Sequence, residues 1–141
     1  MPIDWHDDGS LQAATLMRIA KAVLEGRAAM LDHQPDLAVR AYKTAAKIEE
    51  SKAMHGYDDP PIWWYPVRRS LAAALLAAGK PKDALREADA ALARRPLDPA
   101  TLSVRGDALA ALGDSAAAAK DRAAAVAGWR GEKALLSAAQ I

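Results

Sequence analysis

The sequence predicts an all-α protein, and three observations carry that prediction. Its 141 residues include 36 alanines and no phenylalanine. Alanine loses least on entering a helix, and the β-branched and aromatic residues that favour strands are scarce. Two stretches align without a gap at an offset of 34 residues, pairing Leu75 with Leu109, Gly79 with Gly113, Ala84 with Ala118 and Ala91 with Ala125. That is the period of a repeated helix–turn–helix unit. Finally, Gly79 and Gly113 each close a helical run, and Pro96 falls where another must stop. Glycine enters the left-handed region freely, and proline cannot continue a helix.

The elements follow in order. Residues 1–9 read as a flexible acidic segment ahead of a single domain, 10–141. Repeat one, 10–53, holds a helix over 10–31 with Ser10 as its N-cap and an apolar stripe of Leu11, Leu16, Ile19, Val23, Leu24 and Met30. Gly26 falls where a small residue lets two helices approach. A second helix, 35–53, starts on Pro35 and carries Ala38, Tyr42 and Ala45 at the spacing of the later units; His33 sits in the turn between them as a surface residue. From Ala38 to Ala84 is 46 residues, one period plus 12, so an insertion, 54–64, separates repeat one from repeat two. Repeat two, 65–98, is served by helices over 62–78 and 81–94. Repeat three, 99–130, holds helices over 99–111 and 114–128, with Asp114 and Ser115 as caps. A last helix, 131–141, caps the stack. The aromatic run from Ile62 to Val67 is no strand, because Pro60, Pro61 and Pro66 interrupt it.

Composition narrows function. The chain has no cysteine, which removes disulfides, thiolate nucleophiles and Cys-ligated zinc. Nineteen basic and 18 acidic residues leave a net charge of +1, too little to point to nucleic acid or an anionic membrane surface. The longest apolar run, Leu71 to Ala78, is far short of a membrane span. Met1 to Ser10 is too polar and acidic for a signal peptide, which favours the cytoplasm, with the periplasm open if a leader has been removed. No nucleophile elbow, phosphate-binding loop, dinucleotide fingerprint or zinc-helix motif is present. The expectation is a protein that is not an enzyme and needs no cofactor.

The residues also resemble a family. Leu71, Ala72, Leu75, Gly79, Ala84, Ala91 and Pro96, then Gly106, Leu109, Gly113, Ala118 and Ala125, are similar to the tetratricopeptide repeat consensus. Residues 57–68, Tyr-Asp-Asp-Pro-Pro-Ile-Trp-Trp-Tyr-Pro-Val-Arg, with the helix from Ser70 to Leu76, resemble a motif near the C-terminal end of longer bacterial proteins of that kind. The chain reads as a small member or a C-terminal piece. The resemblance implies a right-handed superhelix that binds a protein or peptide segment on a concave face formed by the first helix of each unit. It maps that face onto Ala20, Val23, Arg27 and Met30, then Pro66, Arg69, Ala73 and Leu76, then Ala100, Ser103, Asp107 and Ala110. There are departures. Arg68 and Leu102 stand where a Trp is usual, Ala88 and Arg122 replace a large aromatic, and Arg105 replaces a packed Leu. Ala73 and Asp107 replace the asparagines of the carboxylate clamp, which argues against a reader of chaperone tails.

The candidate binding set is Arg27, Met30, Trp63, Trp64, Tyr65, Arg68, Arg69, Ala73, Ser103 and Asp107. Trp63-Trp64-Tyr65 holds three of the seven aromatics. It reads either as an anchor for proline or cationic groups or as a plug filling the junction made by the insertion. Consecutive residues cannot all face one way on a helix, so one ring packs while another is exposed. Arg27 and Arg69 would converge on a carboxylate or an acidic peptide. Against that, Arg68 would be held internally by Asp58 or Asp59. Asp59 and Pro61 read as a helix start, and a metal site at His55, Asp58 and Asp59, or around His6 with Asp4, Asp7 and Asp8, lacks ligand spacing. The expected partner is another protein or peptide segment. The alternatives are a homodimer through the alanine-rich faces of the third repeat and the last helix, or an accessory subunit binding metal or a small molecule.

Overall fold

The computed structural model describes residues 5–54, 63–132 and 136, with side chains from residue 13 onward. Among the described residues all regular structure is helical. Six α-helices run in the order α1 (Trp5–Leu31), α2 (Pro35–Glu49), α3 (Val67–Ala77), α4 (Pro81–Arg94), α5 (Pro99–Ala111) and α6 (Ser115–Gly128), with a single 3₁₀ turn at Lys52–Met54 after α2. They pair as three antiparallel hairpins, α1/α2, α3/α4 and α5/α6. Successive hairpins stack through α2 on α3, α4 on α5 and α3 on α5.

All three hairpins close alike. His33, Gly79 and Gly113 adopt positive φ, at 55°, 71° and 90°. At each, the positive-φ residue donates its N–H to the carbonyl three residues back, and the next residue donates to the carbonyl five back. The pairs are His33 to Met30 and Gln34 to Ala29, Gly79 to Leu76 and Lys80 to Leu75, Gly113 to Ala110 and Asp114 to Leu109. This double bond is the Schellman closure, which satisfies carbonyls that the end of a helix leaves open. The three closures are 46 and 34 residues apart, the spacing that the sequence alignment predicts.

The interior of each hairpin follows the same register. In the first, the Tyr42 ring lies directly on Gly26, where a Cβ would meet ring atoms at 2.6–2.9 Å. In the second, Ala72 and Ala88, both fully buried, share a small cluster with Ala73 and Val104. In the third, a Cβ on Gly106 would meet the Arg122 stem at 3.0 Å and the Ala118 carbonyl at 3.2 Å. Small residues on each first helix thus receive the side chain at the matching site of the second. The packing is uneven along the stack. The main core joins Ile19, Val23, Tyr42, Met54, Trp63, Tyr65, Val67 and Leu71, whereas α6 buries only Ala118, Asp121 and Ala125.

Several boundaries differ from those expected. α1 begins at Trp5 and runs through Gly9 and Ser10, so Ser10 is not its cap. A single internal glycine costs only about 1 kcal/mol, so Gly9 does not stop the helix. α2 stops at Glu49 rather than 53. α3 starts at Val67 rather than 62, with Pro66 as its N-cap residue at φ −69° and ψ 119°. A helix begun at 62 would place Pro66 where its missing N–H breaks the ladder. Residues 131, 132 and 136 are not helical, so a continuous helix over 131–141 is absent at each position described there.

Candidate functional site

The aromatic run sits at the junction of the first two hairpins. Trp63 and Tyr65 are buried, 6% and 3% exposed, while Trp64 is 63% exposed. The Trp64 ring lies against Trp63, with centroids 4.2 Å apart and planes tilted by 32°. Tyr65 meets Trp64 edge-on at 5.5 Å and Trp63 at 5.9 Å. The segment is thus plug and projection at once: two rings fill the junction, and the third is held on them with one side toward solvent. The Trp63 Nε1 and the Arg69 Nε are buried without a hydrogen-bond partner.

Arginines and carboxylates from four helices clamp this segment. Glu49, at the end of α2, is buried, and its Oε2 accepts the Val67 backbone N–H at 2.9 Å. It thereby caps α3, whose N-cap residue, Pro66, makes no side-chain cap bond. Burial pushes the Glu49 carboxyl pKa up, opposed by the Val67 bond and by Arg94, whose guanidinium is 3.5 Å away. Arg68 binds Glu50 through two nitrogens, at 2.5 and 2.9 Å, and also binds Glu87 on α4. The hydrogen bond to Glu50 is the leading cause that raises the Arg68 pKa further above its ordinary value. Arg69 reaches both oxygens of Asp98 at 3.2 Å, and its guanidinium carbon stands 4.4 Å above the Tyr65 ring. Asp98 also caps α5 by accepting the Thr101 N–H at 2.9 Å. Arg95 donates to the Trp64 carbonyl at 2.7 Å, which fixes the backbone beneath the exposed indole.

The expected site residues fall into distinct places. Trp64 and Arg27 are exposed, and Met30 is half-buried. Arg68 and Arg69 are engaged internally, though Arg68 by Glu50 and Glu87; Asp58 and Asp59 lie outside the described residues. Ala73 is 2% exposed and sealed beside Val104, so it has no surface to offer a ligand. Ser103 is also buried, with its hydroxyl donating to the Leu136 carbonyl at 2.8 Å. Asp107 is paired with Arg122 at 2.6 Å. Arg105, a departure from the family pattern, binds Asp89 at 2.7 Å and Asp121 at 3.0 Å. Arg69 is engaged by Asp98 and Tyr65, while Arg27 lies exposed on α1. Burial, with Tyr65 as a second cause, pushes the Tyr42 hydroxyl pKa up to about 12, while Arg27 acts in the opposite direction.

Glu49, Glu50, Glu87 and Asp98 are the residues that sequence reasoning missed. Asp98 alone had a local signal, since an Asp directly before Pro99 and a helix is a cap pattern. The residues named for a metal, His55, Asp58 and Asp59, lie outside the described residues, as do Asp4 and the side chains of His6, Asp7 and Asp8. Among the described residues no three His, Asp or Glu side chains are grouped to hold a metal, and no helix is long and apolar enough to cross a membrane. The class that the fold and site define is a stack of three α-hairpins, locked at its first junction by ion pairs around an exposed tryptophan. No protein-family model matches the chain, and no curated protein matches it either.

Proposed function

We propose that this chain is a non-catalytic scaffold of the tetratricopeptide type, which binds a protein or peptide segment with Trp64 as its anchor. The observation that carries the reading is the contrast within one tripeptide: Trp63 and Tyr65 are buried while Trp64 is 63% exposed. An indole held on a packed ring and tied down through its own carbonyl has little freedom to lose on binding, and tryptophan is the side chain most enriched where interface energy concentrates. The recurrence of the hairpin closure at 46 and 34 residues supports the repeat assignment. The groove reading shifts accordingly. Ala73 and Ser103 leave the contact set, Arg69 becomes part of the frame, and Arg27 with Met30 stays as flanking surface. No cofactor or reaction enters this reading, and affinity in the micromolar range, roughly −8 kcal/mol, suits such a module.

The test is capture of partners from native lysate on wild-type, Trp64→Ala and Arg27→Glu baits, each first shown to be helical by circular dichroism. A protein held by wild type and lost with Trp64→Ala supports the anchor. Its further loss with Arg27→Glu extends the surface to α1. Partners held equally by all three baits remove both residues from the site.

A further inference from the structure

α1 keeps one face bare. Met17, Leu24 and Leu31 recur every seven residues and are 71%, 65% and 78% exposed, while Ile19 and Val23 on its other side are buried in the main core. A seven-residue repeat drifts only about 20° per step around a helix, so these side chains form one file about 20 Å long. At about 100° per residue, Arg18, Lys21, Glu25 and Asp32 lie along one edge of that file. All four are exposed, and Lys21 also lies 3.5 Å from Glu25 of its own helix. Their order is two cations followed by two anions. Between α1 and α2 a cleft of about 530 Å³ opens on the side of this edge, with Glu25 and Asp32 facing Arg40 across its lining.

We propose that α1 pairs with α1 of a second copy in antiparallel order, about a two-fold axis at Leu24. The charge order selects both the occupant and its direction. A parallel copy sets this edge against the opposite one, where Ala20 and Arg27 lie and no anion meets the cations. An antiparallel copy sets Arg18 and Lys21 of each chain against Asp32 and Glu25 of the other, and such edges face themselves in an antiparallel pair. The same register puts Leu24 against its own equivalent and Met17 of the partner subunit against Leu31. Apolar file and charge order therefore agree on one register, as a self-complementary interface requires. This interface is carried by the α1 face and is independent of the Trp64 reading.

Sedimentation equilibrium over a wide concentration range tests it. Wild type dimerises, and Leu24→Asp weakens the dimer by roughly tenfold or more without loss of helicity, because Leu24 is exposed. Lys21→Glu alone sets glutamates together and weakens the dimer, and the exchange Lys21→Glu/Glu25→Lys restores it. The chain has no cysteine, so single cysteines report the register. Leu24→Cys oxidises to a linked dimer, whereas Met17→Cys links efficiently to Leu31→Cys and not to itself. A wild type that is monomeric at every concentration overturns the proposal. So does a dimer that withstands Leu24→Asp, or a Met17→Cys chain that links to itself.

Discussion

The carboxylate of Glu49 accepts the backbone N–H of Val67 at 2.9 Å across the junction of the first two hairpins. The end of one helix thus caps the start of the next, over the insertion that separates them in sequence. Glu49→Ala leaves the Val67 N–H without that acceptor and is expected to cost about 1–2 kcal/mol in urea unfolding, the scale of a lost N-cap. Glu49→Gln keeps an acceptor oxygen and separates charge from capping. Because the folded pKa of Glu49 lies above its ordinary 4.5, the folded state holds the proton more tightly than the unfolded one. The associated stability is fully present below pH 4.5 and is lost as pH rises through the folded pKa. Glu49→Gln does not ionise, so its stability relative to wild type should climb as pH rises above 4.5 and then level off. A difference that is flat with pH would remove the burial cost from the account.

Arg68 joins three helices, with Glu50 at the end of α2 and Glu87 on α4. Its side chain is 29% exposed, against 11% for Glu87. Removing it leaves the nearly buried Glu87 carboxylate with only the longer contact to Arg86 at 3.9 Å, which costs more than an exposed pair contributes. Arg68→Ala is expected to lose about 2 kcal/mol in equilibrium unfolding. Arg68→Lys should recover only part of that, because one ammonium cannot span both carboxylates as the guanidinium fork does. Equal stability of Arg68→Lys and wild type would show that the fork geometry contributes nothing.

The uneven legibility of the sequence has a physical pattern. The limits of α4 and α5 and the glycine closures at Gly79 and Gly113 were readable, because proline at a helix start and glycine past a helix end act locally. The late start of α3 is equally local, in Pro66, but Asp59 and Pro61 offer a competing helix-start pattern just upstream. The partners of the arginines were not readable. Arg68 binds residues 18 and 19 positions away on two different helices, and only the stacking of hairpins brings those positions together. The alternation of buried Trp63, exposed Trp64 and buried Tyr65 was foreseen in kind, since neighbouring side chains diverge, but which ring faces outward depends on the helices packed around them.

His33 occupies the position that Gly79 and Gly113 fill in the other closures, and it is the one non-glycine residue of positive φ among the described residues. A Cβ in that region costs about 1–2 kcal/mol. His33→Gly should therefore stabilise the protein by about 1 kcal/mol, with the gain trimmed by the extra freedom of glycine in the unfolded chain. Gly79→Ala should lose about 1 kcal/mol from φ alone, since a Cβ there meets nothing within 4 Å. Thermal unfolding of both variants checks the equivalence of the three closures. It fails if His33→Gly is destabilising.

Gly26 and Tyr42 are predicted to be the most strongly coupled pair in the first hairpin. A Cβ on Gly26 would lie 2.6–2.9 Å from three ring atoms of Tyr42, so Gly26→Ala must push the ring outward at a cost of about 1–3 kcal/mol. The displaced hydroxyl regains water, and its pKa should fall from about 12 toward the ordinary tyrosine value near 10, readable by ultraviolet titration. Removing the ring removes the clash. In a double-mutant cycle with Tyr42→Leu, adding Gly26→Ala should therefore cost much less than it does in the wild-type background. Additive losses would mean that helix spacing, rather than the ring, requires a glycine at position 26.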